Sequence, residues 1–267
     1  MSTETGFTQA GQFASANGLK IYYQEAGSGE PVLLLHGGTA TSNSWQDFVP
    51  MLAQQFRVIA PDLRGHGRTA NPTGELSYRL LADDAAALVQ ALGLTKPLMV
   101  GYSDGGQTLL EFGMHYPDLA RALVLGGTTH AFSDAYYRTL DEWGFEAPGV
   151  VNMDKIRTSM DDMIEYMQTE HAALGGPDYW QTLLQQISTM WLTPLNYTNA
   201  DLQRISVPTL VALGDRDDAI PVQQAVDMYH ILPNAELAIF PNENHGTSAH
   251  FMQIVTDFLM RQHTQPA

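Results

Sequence analysis

The chain has 267 residues, 44% of them hydrophobic, with 13 Lys and Arg against 29 Asp and Glu and a formal net charge of −16. Length and apolar fraction suffice for one large domain with a sizeable core, and the shortage of bases makes nucleic acid and anionic membrane surfaces poor partners. The absence of cysteine removes disulfides, thiolate nucleophiles and Cys-containing metal sites together.

Charged residues make up only 16% of the chain, against about 25% in an average soluble protein. Bases are scarce rather than acids abundant, with lysine only at Lys20, Lys96 and Lys155. The first 18 residues lack the basic and apolar regions of a secretory signal. No stretch approaches the roughly 18 apolar residues of a membrane span, so the expectation is a soluble cytoplasmic protein.

In chain order, residues 19–24 are half-polar and end at Ala26-Gly27-Ser28-Gly29-Glu30-Pro31. This turn chemistry predicts a leading antiparallel hairpin. Short apolar runs follow at 32–35, 58–60, 98–100, 122–125, 209–213 and 237–240. Helix-period segments lie between and after them: Leu81, Ala85, Leu88 and Leu92 share one face, as do Phe251, Ile254, Val255, Phe258 and Leu259. The alternation predicts an α/β fold, a mostly parallel sheet of about eight strands flanked by helices, with ligands at the strand ends.

The alternation breaks over residues 131–200, where no buried strand is expected. Helices are predicted at 134–145, 153–174, 179–192 and near Ala200, separated by Ala147-Pro148-Gly149 and Gly175-Gly176-Pro177. The expected organisation is a core of residues 1–130 and 201–267 with a helical lid, 131–200, inserted between two late strands. The lid carries ten acids and three bases, so it is expected to repel anionic substrates and favour neutral or cationic ones.

The most specific local signal is Val100-Gly101-Tyr102-Ser103-Asp104-Gly105-Gly106, a G-x-S-x-G between an apolar strand and a helical pattern. An isolated match is also an ordinary glycine-rich turn. The strand before and the helix after favour a nucleophile on a sharp turn, where small residues two before and two after avoid clashes. A serine hydroxyl needs a base and an orienting acid. Candidates follow in two later loops: Asp215, Asp217 and Asp218 after the run at 209–213, and His245 or His250 after the run at 237–240.

With His36-Gly37-Gly38 after the first apolar run, Asp62-Leu63-Arg64-Gly65-His66-Gly67 after the next, the Ser103 turn, Gly214 to Asp217, and Asn244-His245, the chain resembles the α/β-hydrolase fold superfamily, of the capped serine esterase and lactonase type. The resemblance spans nearly everything outside the lid. It implies Ser103 as nucleophile, His245 as general base and then acid, and Asp217 as the residue that orients the imidazole. The family's G-x-x-D spacing from Gly214 selects Asp217, and His250 falls instead in the first turn of the last helix. The backbone N–H groups of Gly38 and Asp104 would form the oxyanion hole, and no cofactor is implied.

His36 and His66 are expected to shape their loops, and His115, His130, His171, His230 and His263 show no ligand spacing, so no metal site is expected. Asp104 departs from the apolar residue often found after the nucleophile; an acid suits a helix's first turn. Tyr102, Trp143, Trp180 and Trp191 are candidate substrate contacts, although lid aromatics equally serve to hold short helices to the core.

The implied activity is hydrolysis of small to medium neutral carboxylic esters or lactones through an acyl-enzyme on Ser103. Haloalkane dehalogenases and epoxide hydrolases are similar but carry Asp at that position. Carbon-carbon bond hydrolases and cofactor-free haloperoxidases keep the serine. The former want a cationic lid, and here the lid offers only Arg138, Lys155 and Arg157. A ligand receptor with vestigial hydrolysis is the alternative from another class.

Overall fold

The structure is a computed structural model that describes residues 6–7 and 10–263. Strands β1 (Gln12–Ala16), β2 (Leu19–Gly27), β3 (Glu30–Leu35) and β4 (Phe56–Pro61) come first, with the short helix α1 (Val49–Leu52) between the last two. Then α2 (Tyr78–Ala91), β5 (Leu98–Tyr102), α3 (Asp104–His115) and β6 (Ala122–Gly126) alternate. A long insertion follows, made of α4 (Asp134–Trp143), β7 (Phe145–Ala147), β8 (Val150–Val151), α5 (Met153–Ser159), α6 (Asp161–Glu170), α7 (Tyr179–Trp191) and α8 (Asn199–Leu202). The chain closes with β9 (Thr209–Gly214), α9 (Val222–Ile231), β10 (Ala235–Phe240) and α10 (Ala249–His263).

Eight strands form one sheet in the order β1-β2-β4-β3-β5-β6-β9-β10. It is parallel from β4 to β10 and antiparallel where β2 meets β1 and β4. The apolar runs are continuous because both sheet faces are covered. Along β3, Leu33 and Leu35 join a cluster with α2, α3 and α9, while Val32 and Leu34 join a second cluster with α1 and α10. The two-residue side-chain period of a strand thus feeds both cores from one segment.

The leading hairpin lies one strand earlier than the turn residues 26–31 suggest. β2 pairs with β1 through the Asn17-Gly18 turn, and β3 pairs with β4 and β5, never with β2. β1 escapes notice because it is a short, mostly exposed edge strand. In the insertion, the expected helix over 153–174 breaks at Met160 (φ −124°, ψ 26°), which ends α5 and begins α6. Ala147-Pro148-Gly149 makes the turn of the small β7/β8 hairpin.

The buried side chains of the insertion, among them Phe145, Ile156, Met167, Leu183 and Ile187, join the same apolar cluster as Leu81, Leu109 and Leu110 of the body. Its position is therefore fixed by shared core. Among the described residues no helix is long and apolar enough to cross a membrane.

Candidate active site

Ser103 sits at the point where β5 turns into α3, with φ 53° and ψ −119°, a backbone region that non-glycine residues rarely adopt. Its N–H donates to the Gly126 carbonyl (2.8 Å) and its carbonyl accepts from Gln107 N–H (2.8 Å). The turn is tight enough that a Cβ on Gly101 would lie 2.2 Å from the Gly105 oxygen, and it sits so close to β3 that one on Gly105 would lie 2.0 Å from the Leu35 oxygen. Glycine is thus imposed at both positions by backbone contact. A Cβ on Gly106 would lie 2.0 Å from the Thr128 hydroxyl, a side chain, and 2.8 Å from the Gly126 oxygen.

His245, in the loop after β10, places Nε2 3.0 Å from Ser103 Oγ and Nδ1 2.7 Å from Asp217 Oδ2. The Asp217 side chain is buried, and its other oxygen accepts the backbone N–H groups of Ala219 (3.1 Å) and Ile220 (2.8 Å). These bonds hold the carboxylate still. With Nδ1–H donating to Asp217, Nε2 presents a lone pair to the serine hydroxyl. Burial pushes the imidazole towards neutrality, but the hydrogen bond and charge of Asp217, with the charges of Asp218 and Asp104, raise its pKa above the ordinary value.

The rival residues lie elsewhere. Asp215 accepts the Asn242 N–H across the two loops. His250 is exposed and bonds Glu243.

Gly37 and Gly38 approach the turn from the other side. A Cβ on Gly37 would lie 3.2 Å from Ser103 Cβ, and one on Gly38 would lie 2.6 Å from both Asp104 Oδ2 and Trp191 Cζ2. The loop is held from beneath by His36, whose Nδ1–H donates to the Gly37 carbonyl (2.7 Å) while Nε2 accepts from Leu63 N–H (2.9 Å). Burial lowers the pKa of His36 to about 4 and that of His66 well below the usual value. His66 Nδ1–H donates to the Arg64 carbonyl (2.9 Å). Both rings shape their loops, as expected.

Asp104 does more than favour a helix start. Its carboxylate is buried, accepting from Tyr78 Oη–H (2.8 Å) and from Trp191 Nε1–H, which lies 2.9 Å from both oxygens. Burial raises its pKa to about 6 against the lowering effect of these two donors and of His245.

A cavity of about 510 Å³ opens over Ser103. Its walls include Phe132, Tyr136, Trp143, Met160 and Trp191 from the insertion. Two expected contacts are corrected. Trp180 is buried in the shared core away from the cavity. Tyr102 stands behind the site instead, packed 5.3 Å from the His245 ring and edge-on to Phe251.

The acids of the insertion stand outside the cavity. Nine of its ten acids are exposed, the tenth, Glu170, bonds Thr41 and Asn43, and none lines the cavity. The acids that do are Asp104 and Asp218 of the body. Sequence reasoning missed Tyr78 and His171, whose partners lie far along the chain. Among the described residues no group of three His, Asp or Glu side chains is arranged to hold a metal ion.

Fold and site together define a hydrolase of the nucleophile-elbow class, with the chain order Ser, Asp, His. The family described as alpha/beta hydrolase fold matches residues 30–177, more than half of the chain, and that of prolyl oligopeptidases matches residues 144–263. The chain belongs to the α/β-hydrolase fold family. It is 30% identical over 244 residues to the 2-hydroxy-6-oxo-6-(2'-aminophenyl)hexa-2,4-dienoic acid hydrolase of Metapseudomonas resinovorans, covering 88% of this chain and 84% of that one. Its fold is similar to that of a meta-cleavage product hydrolase from Pseudomonas fluorescens (TM-score 0.76, 22% identity, 95% and 98% of the two chains). It is also similar to that of a thermophilic esterase from Thermogutta terrifontis (TM-score 0.72, 24% identity, 96% and 100%).

Proposed function

We propose that the protein is a serine hydrolase of small to medium carboxylic esters or lactones, acting without a cofactor. The observation that carries this reading is the relay from Ser103 through His245 to Asp217, at 3.0 and 2.7 Å, opening on a largely apolar-walled cavity. His245 takes the Ser103 proton as Oγ attacks the carbonyl, and the imidazolium is stabilised by Asp217. The N–H groups of Gly38 and Asp104 hold the oxyanion, that of Asp104 with the help of the α3 N-terminus. The imidazolium then protonates the leaving alcohol, and neutral His245 activates water to release the acyl group. Residues 131–200 act as the lid that forms the outer wall.

The alternative is cleavage of a carbon-carbon bond, favoured by the 30% identity to a hydrolase of a dienoic acid. Such a substrate would bring its carboxylate into a cavity lined by the carboxylates of buried Asp104 and of Asp218, like-charge contacts that cost free energy, with the largely exposed Arg216 as the opposing charge at the wall. Esters without negative charge meet no such cost.

The test is turnover of p-nitrophenyl butyrate and of a 2-hydroxy-6-oxo-dienoate by the wild type, with Ser103→Ala as the blank. Ser103-dependent release of nitrophenol well above turnover of the dienoate supports the ester reading. The reverse order supports the alternative, and tight binding with negligible turnover of either would make the protein a receptor.

A further inference from the structure

The ester chemistry uses the N–H of Asp104 and leaves its carboxylate without a task. A carboxylate removed from water is costly unless it is paired. Tyr78 and Trp191 donate to it, yet both are neutral, so the negative charge is solvated by two dipoles and matched by no cation among the hydrogen bonds it makes. An ionised carboxylate offers about four acceptor sites. Tyr78 bonds only Oδ1, which leaves Oδ2 the less committed oxygen, sharing the Trp191 N–H. Oδ2 also lies close to Gly38, 2.6 Å from where a Cβ would stand, as does Trp191 Cζ2.

This places a negative charge beside the Gly38 segment of the loop proposed to hold the oxyanion. Unbalanced, it opposes charge development on the substrate oxygen. A substrate that brings its own positive charge reverses the sign of the effect. The cavity is otherwise suited to such a group. Asp218 adds a second acid at the wall, and Phe132, Tyr136 and Trp143 supply the aromatic faces on which cations are stabilised. Arg216 is the opposing charge, but its side chain is 65% exposed and lies against Asp215.

We infer that the Asp104 carboxylate is an ammonium-binding subsite, and that the preferred esters carry a primary amine beside the scissile carbonyl, as amino-acid esters do. The inference rests on the serine-hydrolase reading above. A purely structural role, tying Trp191 to the turn, would affect all esters alike.

The experiment compares kcat/KM for phenylalanine methyl ester and for methyl 3-phenylpropionate, which differ only in the amine, in the wild type and in Asp104→Asn. The asparagine keeps an oxygen for Tyr78 while removing the charge. The wild type is expected to favour the amino ester by about tenfold or more, and the ratio is expected to collapse in Asp104→Asn towards the intrinsic reactivity of the two esters. An equal ratio in both proteins overturns the inference.

Should Asp104→Asn fail to fold, the wild type alone decides. Phenylalaninol is expected to inhibit p-nitrophenyl butyrate hydrolysis about tenfold more strongly than 3-phenylpropanol, and equal inhibition overturns the inference. Ser103-dependent butyrate turnover without any preference for the amine overturns this inference alone. Absence of Ser103-dependent turnover of every ester overturns the underlying reading as well.

Discussion

The imidazole of His171, at the end of α6 in the insertion, donates from Nε2 to the carbonyl of Thr39, 2.9 Å away, in the loop that carries Gly38. Thr39 has φ +60°, a left-handed conformation unfavourable for a β-branched residue. The same ring accepts the Gly67 N–H at Nδ1 (2.9 Å). One buried side chain of the insertion thus pins two loops of the body. His171→Ala is expected to lower kcat by about 10- to 100-fold through misplacement of the Gly38 N–H, with a smaller change in KM. His171→Gln, which keeps a donor and an acceptor, recovers part of the loss; steady-state kinetics on one ester reads both.

Ser103→Ala is expected to abolish ester turnover while leaving the folded circular dichroism spectrum intact. Asp217→Asn keeps the shape but disfavours the productive tautomer of His245, and kcat falls roughly ten-thousandfold. Residual activity of Asp217→Asn within tenfold of the wild type would remove Asp217 from the relay.

The pH dependence follows from the direction of the His245 shift. The base must be neutral to accept the serine proton, and its pKa lies above the ordinary 6.5 of histidine. Log(kcat/KM) is therefore expected to fall as pH drops through a value above 6.5, with a slope of one. Asp218→Asn removes one of the acids that raise this pKa, so the acid limb moves to lower pH. A limb below 6.5 in the wild type would contradict the geometry.

Stability should fall in mild acid. His36, His66 and His171 are buried with pKa values lowered, that of His36 to about 4. Below pH 6.5 the unfolded chain takes up protons that the folded chain refuses, so stability is fully present above pH 6.5 and lost as pH falls towards 4. Asp104, raised to about 6, and His245, also raised, take up protons in the folded chain and offset part of this loss, so thermal melts between pH 7.5 and 5 are expected to show Tm falling by a few degrees. His66→Phe, which takes up no proton, flattens that slope.

Gly105→Ala is expected to destabilise the fold by about 3 kcal/mol or more, because the added methyl would lie 2.0 Å from a backbone oxygen that has no room to move. Denaturant unfolding measures it. A variant as stable as the wild type would mean that the turn opens without cost.

Much of this site was legible because its determinants are local. The buried strands announce themselves as apolar runs, β5 and β9 end at Tyr102 and Gly214 directly before Ser103 and Asp215, and a parallel sheet brings those loops to one edge. β1 was not legible, since a five-residue edge strand of sequence QFASA whose one large apolar residue, Phe13, is exposed carries little apolar signal. Nor was the break at Met160, where the helical pattern continues on both sides.

The amino-acid sequence by itself determined the fold class, the chain order of Ser103, Asp217 and His245, and the need for glycine at 101 and 105. The fold class follows from strand periodicity and the glycine at 101 from backbone sterics within one turn, whereas the resemblance to the family selected Asp217 and His245, and the glycine at 105 is imposed by the Leu35 oxygen of the neighbouring strand β3. Only the tertiary structure decided what faces Ser103. Trp180 and Trp191 lie on one face of α7, eleven residues apart, and a rise of about 1.5 Å per residue separates them by about 16 Å along the axis. One is buried in the shared core, and the other reaches Asp104. Asp104, adjacent to the nucleophile in sequence, acquires its environment from Tyr78 and Trp191, 26 and 87 residues away, so the charge of the cavity is set by packing that no local pattern records.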